Sequence, residues 1–480
     1  MSRRLVFLVF TFLALFFPVL PAAAADKQNN DDAALIYEIM YYLQEYHLSN
    51  PEQDSLNYGA IQGMLDTLDD PYAEYFSPDE IQSFTDSLNG DLVGVGIQVS
   101  AGEKNPFVAD VLPGTPAEKG GIKQGDLIIA VDGNDTTGQK LNEVVNIIRG
   151  PHGTKVTLTV RRGEKEFDVA LNRADIHVSS VKSEMMAGNT GYISVASFGS
   201  STAEEFDNAV KNLQNSGMKS LIIDLRDNGG GYLDAAVDML DDFINQGSTV
   251  VSIVDNTGKK EKIGTEEKPF VEDLPTVILV NGYTASASEI MAAALRDYGM
   301  ATIVGDTTFG KGVVQNVIPL STGGAIKFTV YKYLTPNGAD IDQVGIEPDQ
   351  FVLTEALQKE VAWELLHPED NPDIVFDSGA KNVKINGQNV DLSINIIKKD
   401  NRDYLPLRPV LEAMLYQVDW QDGIIKVMSG ERKIKELSSF DHSSLLLENG
   451  TGYIVIDMLK EFNIILTQNG NSYELTRQLP

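Results

Sequence analysis

The stretch NGYTASASEI, Asn281–Ile290, places two serines and a threonine within five residues, and a serine hydroxyl at this position is able to act as a nucleophile. The stretch follows an apolar run and precedes a helical pattern, so it is predicted to join a strand to a helix. At such a junction the N–H of Ala287 points out of the helix start and is able to donate to an oxyanion. A structural explanation competes, because Ser286 and Glu289 have the S-x-x-E spacing of a capping box. Taken alone, the stretch favours the structural explanation.

A serine nucleophile needs a group that takes its proton, and histidine is a weak candidate here. None of the five histidines lies in a Gly-rich or motif-like segment of the region around Ser286, and His177 is the nearest of them. A lysine kept neutral by burial is the other option. Lys311 stands between two glycines in TTFGKGVVQ. To act as a base, its pKa must fall from about 10.4 to roughly 7–8, which the apolar neighbours Phe309, Val313 and Val314 are expected to achieve by desolvation.

Lys311 would also fit a phosphate-binding Gly/Lys loop, or a turn that carries an ordinary surface lysine. The spacing G-x-x-x-x-G-K-[ST] of a phosphate-binding loop is absent. Gln315 follows Lys311 at the i+4 position. Because only helical spacing makes positions i and i+4 neighbours, Gln315 can orient Lys311 only if this segment is turned and not extended.

A run of three glycines, Gly229–Gly231, stands between a predicted buried strand and a helix in DLRDNGGGYL. Such a loop exposes backbone N–H groups that are able to bind an anion or complete an oxyanion hole. A tight strand-to-helix turn explains the glycines equally well.

The elements that must position these residues are predicted to alternate between strand and helix from Gly191 onward. That rhythm indicates βαβ crossovers and a largely parallel, buried sheet. Before it, short strands and hairpins form a unit of residues 90–176, which follows a helical segment of residues 26–89. After a polar linker near Asp370–Asp377, residues 371–480 are β-rich. There, a hairpin is predicted to turn at Asn386-Gly387, and two segments share the order strand, helix, strand, turn, strand.

Bulk composition narrows the function. A chain of 480 residues is expected to hold several domains. Its net charge of −31 argues against nucleic acid and anionic lipid as partners. The absence of cysteine excludes disulfides, thiolate metal sites and a thiol nucleophile.

The N-terminus has the three parts of a secretory signal. Two arginines, Arg3 and Arg4, precede an apolar stretch, Leu5–Leu20, and small residues follow up to Ala25, after which cleavage is predicted. An uncleaved membrane anchor is the alternative, although the stretch is shorter than the roughly 20 residues of a typical span.

Taken in order, DLRDNGGG, TASASEI and TFGKGVVQ resemble the carboxy-terminal processing (tail-specific) protease family of Ser–Lys peptidases. GAIQGMLDTLDDPYAEYF and the segment from GVGI to GTPAEKGGIKQGDLIIAVDG resemble that family's N-terminal segment and its inserted PDZ domain. The resemblance covers about Leu35–Asp349. It implies that Ser286 is the nucleophile, Lys311 the general base and Gln315 the residue that positions Lys311.

The same resemblance implies that the oxyanion donors are Ala287 and a glycine of the pair Gly229 and Gly230. The family often has proline where this chain has Gly229, which leaves the donor glycine open. The implied fold is multidomain α/β, with a crotonase/Clp-like ββα-spiral protease core over 177–370. This core carries the PDZ insert over 90–176.

The resemblance also implies a peptide-binding site in the PDZ unit. A substrate's terminal carboxylate would bind the loop formed by Gly94, Val95, Gly96 and Ile97. The facing helix, Leu141–Arg149, offers four apolar side chains for the pocket, about half of which are expected to be plain core: Leu141, Val144, Val145 and Ile148.

The C-terminal segment DYLPLRPVLEAMLYQVDW resembles the small β-rich domain found at the N-terminus of copper amine oxidases. No copper site is expected, because residues 371–480 hold a single histidine, His442, and no cysteine. Binding to the cell wall or envelope, docking of substrate and contact between two copies are the roles considered for this domain.

The expected function is therefore that of an exported serine endopeptidase, which captures proteins with free apolar C-termini and cleaves upstream without a metal or organic cofactor. A homodimer is a further expectation. A non-catalytic extracytoplasmic PDZ scaffold is the main alternative. A crotonase-type acyl-CoA enzyme is disfavoured, because its substrates are cytosolic whereas the N-terminus predicts export.

Overall fold

The computed structural model describes residues 27–321, 323–369, 371–377, 382–438, 441 and 443–478. The predicted signal segment and His442 lie outside the described residues. The chain divides into two compact units, Met1–Tyr75 with Ile326–Phe328, and Phe76–Ala325 with Thr329–Pro480. None of the helices in the described ranges is long and apolar enough to cross a membrane.

Helices dominate the first unit, as the 3–4 spacing of its apolar residues predicts. Its elements are α1 (Lys27–Tyr46), α2 (Gln53–Asp66) and the start of β1 (Glu74–Phe76).

The second unit begins with a helix and a small β-rich subdomain, and these elements are α3 (Pro78–Asn89), β2 (Asp91–Gly94), β3 (Ile97–Ser100), β4 (Phe107–Val111), α4 (Pro116–Lys119), β5 (Leu127–Val131), β6 (Asn134–Asp135), α5 (Leu141–Ile148), β7 (Lys155–Arg162), β8 (Lys165–Asn172) and β9 (Ala174–His177). Ser77 and Glu80 form the capping box that starts α3. The sheet has the order β3-β4-β5-β7-β8, so β3 is an edge strand. The strands that enter and leave the subdomain, β2 and β9, pair with each other.

The alternation predicted from Gly191 is confirmed in the next region, whose elements are β10 (Val181–Met185), β11 (Thr190–Val195), α6 (Thr202–Asn215), β12 (Ser220–Asp224), α7 (Leu233–Asp241), β13 (Thr249–Val254), β14 (Lys260–Gly264), β15 (Thr276–Val280), α8 (Ala287–Asp297), β16 (Ala301–Gly305), β17 (Val313–Pro319), β18 (Ala325–Leu334), β19 (Gln350–Phe351) and α9 (Glu355–Leu366). Strands β11, β12, β15, β16 and β19 form a parallel sheet, to which β10 adds antiparallel at one edge. A second, antiparallel layer contains β14, β13, β18 and β17.

The C-terminal region is β-rich, and its elements are β20 (Asp373–Asp377), β21 (Val383–Ile385), β22 (Gln388–Val390), β23 (Ile397–Lys399), β24 (Arg402–Pro406), α10 (Leu407–Ala413), β25 (Gln417–Gln421), β26 (Ile424–Ser429), β27 (Arg432–Ser438), β28 (Leu445–Glu448), β29 (Thr451–Val455), β30 (Ile464–Asn469) and β31 (Ser472–Arg477). The predicted repeat is confirmed as β24-α10-β25-β26 and β29, a 3₁₀ helix, β30 and β31. Asn386 and Gly387 both have positive φ, as a type I′ hairpin requires.

The two faces of the parallel sheet pack into different cores. One face packs with α6, α7 and α8 in a cluster that includes Ile223, Ile278 and Ile303. The other face contributes Ile222 and Leu279 to a cluster that continues through α9 into the C-terminal region. The C-terminal region therefore shares a hydrophobic core with the sheet that positions the predicted nucleophile.

Candidate active site

Ser286 lies between the end of β15 and the start of α8, as predicted, and its backbone has φ 58° and ψ −119°. A residue with a Cβ adopts such a conformation only when its surroundings enforce it, at a cost of order 1–3 kcal/mol. Three hydrogen bonds hold the residue. Its N–H donates to Glu289 (2.9 Å), and its carbonyl oxygen accepts from the Ile290 N–H (3.0 Å) and the Tyr333 hydroxyl (3.3 Å).

Both contacts of the capping box are present at Ser286, but only one of them is a hydrogen bond of good geometry. The Glu289 carboxylate does accept from the Ser286 N–H, as the S-x-x-E spacing predicts. The Ser286 hydroxyl lies near the Glu289 N–H but makes no capping hydrogen bond of good geometry. The half-buried hydroxyl is therefore not committed to the helix start.

Lys311 is brought next to Ser286 through the same carboxylate. The backbone N–H groups of Ser286 and Lys311 both donate to Glu289 Oε2, each over 2.9 Å. The two backbone nitrogens consequently lie no further apart than twice that distance. The Lys311 side chain is half-buried, and of its predicted apolar neighbours Val313 is buried whereas Phe309 is 54% exposed.

Gln315 lies on a strand and not in a helical turn. The segment from Val313 to Pro319 is β17, so the turned geometry that the sequence argument required is absent beyond Gly312. The Gln315 side-chain amide donates to the Val313 carbonyl oxygen over 3.5 Å. Its role in orienting Lys311 stays a prediction.

The Gly-rich loop passes directly beside Ser286. Gly230 has φ 96°, and a Cβ added there would lie 2.8 Å from Ser286 Cβ and 3.0 Å from the Ala287 nitrogen. Glycine is therefore required at position 230 both by the positive φ and by the lack of room for a side chain. Gly229 has open space where a Cβ would stand, so geometry does not demand glycine there.

The amides of this loop are not equivalent as anion donors. The Gly230 N–H donates to Asn228 Oδ1 over 2.9 Å. Among the described residues, the N–H groups of Gly229 and Ala287 donate to no protein acceptor. The N–H groups of Gly229 and Ala287 are thus available to an oxyanion, whereas that of Gly230 is already used within the loop.

Buried polar residues that the sequence argument missed hold the two loops together. The fully buried Asn228 donates through Nδ2 to the Val195 carbonyl oxygen (2.8 Å), and its own carbonyl oxygen accepts from the Ala285 N–H (3.0 Å). Thr284, also fully buried, donates to the Leu225 carbonyl oxygen (2.8 Å). Their sequence signal is a polar side chain immediately beside a Gly-rich loop or a candidate nucleophile.

Ser288, the neighbouring hydroxyl, has a structural role. It is fully buried and donates to the Asn228 carbonyl oxygen over 3.0 Å. Its hydroxyl is therefore unavailable as a nucleophile.

His177 also makes its hydrogen bonds to other residues. Its Nδ1 is 2.9 Å from Asp91 Oδ1 and its Nε2 is 2.6 Å from Glu205 Oε1. Both ring nitrogens contact carboxylates, and these hydrogen bonds, first to Glu205 and then to Asp91, raise the pKa of His177. The structure therefore offers no support for His177 as the base of a triad.

The predicted carboxylate-binding loop lies between β2 and β3. Val95 and Gly96 are buried, and within the described part of the chain their N–H groups donate to no protein acceptor. On the facing helix α5, Val144 and Ile148 belong to the subdomain core, whereas Leu141 and Val145 are half-buried. Plain core therefore explains two of the four predicted pocket residues, and Leu141 and Val145 stay candidates.

Four family models match the chain. Peptidase family S41 matches residues 189–352, a PDZ domain matches 107–162, the N-terminal domain of the activating protease CtpB matches 21–79, and a copper amine oxidase N-terminal domain matches 351–434. A probable CtpA-like serine protease of Staphylococcus epidermidis is 37% identical over 334 residues, which cover 69% of this chain and 68% of that protein. The chain belongs to peptidase family S41. A probable CtpA-like serine protease of Staphylococcus aureus is 38% identical over 353 residues, covering 73% of this chain and 71% of that protein.

Among solved structures, the photosystem II D1 C-terminal processing protease is 30% identical, with a TM-score of 0.41, and the match covers 67% of this chain and 87% of that one. The chain described here is a serine-type peptidase of the C-terminal processing kind and carries a PDZ domain, as its motifs predicted. The family membership favours proteolysis over the alternative of a non-catalytic scaffold.

Proposed function

We propose that Ser286 and Lys311 form the catalytic pair of this S41 peptidase. The observation that carries the proposal is the single carboxylate oxygen of Glu289, which accepts from the backbone N–H groups of both residues. The strained backbone and uncommitted hydroxyl of Ser286 support the same assignment.

In the proposed reaction, Ser286 Oγ attacks the scissile carbonyl carbon while the neutral amine of Lys311 takes the hydroxyl proton. The resulting ammonium returns this proton to the leaving amine as the peptide bond breaks and an acyl-enzyme forms. A water molecule, deprotonated by Lys311, then releases the new C-terminus and regenerates the serine.

The oxyanion of each tetrahedral intermediate is proposed to accept from the Ala287 N–H and from the Gly229–Gly230 loop. Gly229 is the preferred second donor, because the Gly230 N–H already donates to Asn228. Close approach of the loop to Ser286 requires glycine at 230, whichever amide donates.

The PDZ subdomain is proposed to select substrates by a free, apolar C-terminus. The terminal carboxylate would accept from the N–H groups of the Gly94–Ile97 loop, and the peptide would add to β3, which is an edge strand. Leu141 and Val145 would contact the last apolar side chain.

One experiment tests both proposals. The purified chain and its Ser286→Ala and Ser288→Ala variants are assayed on an unfolded substrate that ends in a free valine and on the same substrate as its C-terminal amide. Ser286→Ala should lose more than about 1,000-fold in kcat, whereas Ser288→Ala should retain activity and lose about 1 kcal/mol of stability. The wild type should cleave the free acid faster than the amide. An active Ser286→Ala enzyme would refute the nucleophile assignment, and equal cleavage of acid and amide would refute the PDZ assignment.

Export is proposed from the N-terminal pattern, with cleavage after Ala25 and a mature chain that acts outside the cytoplasm. N-terminal sequencing of the protein from the culture supernatant and envelope fractions tests this directly. Four domains are proposed for the mature chain: the helical segment 26–89, the PDZ domain 90–176, the protease core 177–370 and the β-rich C-terminal domain 371–480.

A homodimer is proposed through α1. This helix exposes a large apolar surface within its unit, which a second copy of the same amphipathic helix would cover, and the exposed residues are Leu35, Ile36, Tyr37, Ile39, Tyr41, Tyr42 and Tyr46. The molar mass in solution of the chain and of a Leu35→Asp, Ile39→Asp variant decides between dimer and monomer.

Contact of residues 371–480 with the cell wall or envelope is a further proposal, tested by co-sedimentation with purified wall material.

A further inference from the structure

Glu289 is a fully buried carboxylate on the first turn of α8. Its Oε1 accepts from the Thr308 hydroxyl (2.5 Å) and the Gly310 N–H (2.8 Å). Its Oε2 accepts from the Ser286 N–H (2.9 Å) and the Lys311 N–H (2.9 Å). The two oxygens thus accept four hydrogen bonds from two different loops.

Three of the four partners are backbone N–H groups, which only donate, so both carboxyl oxygens serve as acceptors here. A buried carboxylate is tolerated only when its acceptor sites are satisfied, and here neutral donors satisfy them. Every donor that Glu289 loses would therefore raise the cost of keeping it buried.

The loop that bears Lys311 is fastened to its surroundings at the same place. The Thr308 hydroxyl also accepts from the Ile346 N–H over 2.7 Å. Gly310 has φ 83°, and a Cβ there would lie 2.7 Å from the Gly345 nitrogen. The loop is consequently held at a fixed distance from Glu289 and has little freedom to shift by itself.

Helix capping explains only one of these four hydrogen bonds. The capping box accounts for the Ser286 N–H, which lies three residues before Glu289. The other three donors come from residues 308–311, beyond β16, and no local helix-start motif predicts them.

We propose that Glu289 is the positioning residue that sets the distance between the nucleophile and the base. The inference rests on the proposed Ser286–Lys311 pair. Glu289 acts through the backbone of both residues, holding Ser286 in its positive-φ conformation and Lys311 beside it.

The test uses the full chain and compares Glu289→Gln and Glu289→Asp with wild type. Glutamine keeps the size but replaces one acceptor oxygen by an NH2 donor, so at least one backbone N–H loses its partner even if the Thr308 hydroxyl accepts from the new amide. Aspartate keeps the charge but is one methylene too short to reach both loops. Since small misplacements of reacting groups cost on the order of 100-fold, each variant should lose about 100-fold in kcat with KM unchanged within about twofold. The rate of Ser286 labelling by a fluorophosphonate should fall with kcat.

Glu360→Gln is the matched control, because Glu360 is a buried glutamate on α9 that undergoes the same chemical change away from both loops. It should keep the wild-type kcat. A folded Glu289→Gln or Glu289→Asp enzyme with the kcat and labelling rate of wild type would overturn the proposal. Failure of both variants to fold would assign Glu289 a purely structural role and overturn it as well.

Ser286→Ala and Lys311→Ala separate this inference from the catalytic proposal on which it rests. If both are inactive while Glu289→Gln is fully active, only the positioning role fails. If either is fully active, the Ser–Lys pair itself is wrong.

Discussion

Ser286 combines a backbone conformation that few residues other than glycine adopt with a side chain that the helix start leaves uncommitted. The surrounding residues compensate for the strain with three hydrogen bonds to its backbone. The Gly-rich loop passes beside this serine, and its Gly230 approaches at a distance that admits no side chain. At the scale of residues, reactivity here follows from a few buried polar contacts.

Lys311→Arg distinguishes a base from a positive charge that clamps the substrate. A guanidinium stays protonated and is unable to accept a proton, so Lys311→Arg should be as inactive as Lys311→Ala, at least about 100-fold below wild type in kcat. The wild-type kcat/KM should rise with pH as Lys311 loses its proton. Activity of Lys311→Arg close to wild type, with no alkaline rise in the wild type, would show that Lys311 acts through its charge.

The sequence predicts some site residues better than others for a physical reason. The Ser286–Glu289 contact is local, so its spacing predicts it correctly. The contacts of Glu289 with residues 308–311 are formed only when β15 and β16 pair in the sheet, and no local pattern encodes them. Burial of Val144 and Ile148, as against partial exposure of Leu141 and Val145, likewise depends on how α5 lies on its sheet.

At the scale of elements, the strands β2 and β9 form the two-stranded connection through which the chain enters and leaves the PDZ subdomain. Asp91, the first residue of β2, pairs with His177, the last residue of β9. His177 also contacts Glu205 on α6. His177, whose two ring nitrogens each contact a carboxylate, therefore fastens this connection to the protease core.

This fastening should depend on pH. Hydrogen bonds to Glu205 and Asp91 raise the pKa of His177 in the folded chain, so the stabilisation is complete below the unfolded value of about 6.5 and is lost as pH rises through the raised value. His177→Gln should therefore lower the melting temperature most near pH 6 and progressively less toward pH 9. The His177 side chain is 42% exposed, so solvent screening keeps the effect small. A deficit that is constant or grows with pH would contradict the assignment.

The alternating elements of the core are evident from sequence because each βαβ unit carries its own apolar period. The antiparallel layer of β13, β14, β17 and β18 is not. Its β13–β14 and β17–β18 pairs join neighbouring segments, but the β13–β18 pair that makes them one layer joins segments far apart in the chain. Tyr333, which donates to Ser286, lies on this layer and was missed with it.

At the scale of the whole chain, the C-terminal region is continuous with the core and not appended to it. The cluster behind the catalytic sheet joins Val277 and Val304 to Val410 and Leu411 of α10. Glu412, fully buried on the same helix, accepts from the N–H groups of Leu353 and Thr354, each over 3.0 Å, at the start of α9. Whatever this region binds, it also supports the sheet.

Glu412→Ala tests whether the two regions unfold together. The substitution removes the acceptor of the Leu353 and Thr354 N–H groups, which lie in exposed and half-buried residues, so each lost hydrogen bond should cost about 0.5–1.5 kcal/mol. The chain has two tryptophans, Trp363 on α9 and Trp420 on β25, so Trp420→Phe and Trp363→Phe give one fluorescent reporter for each region. In both backgrounds, Glu412→Ala should lower the midpoint of thermal unfolding by the same amount.

Lys433→Ala, which breaks an exposed ion pair with Glu436, is the control that should leave both midpoints unchanged. A shift seen by Trp420 alone would mean that the C-terminal region unfolds as an independent domain, and its contact with the catalytic sheet would then contribute nothing to the stability of the site.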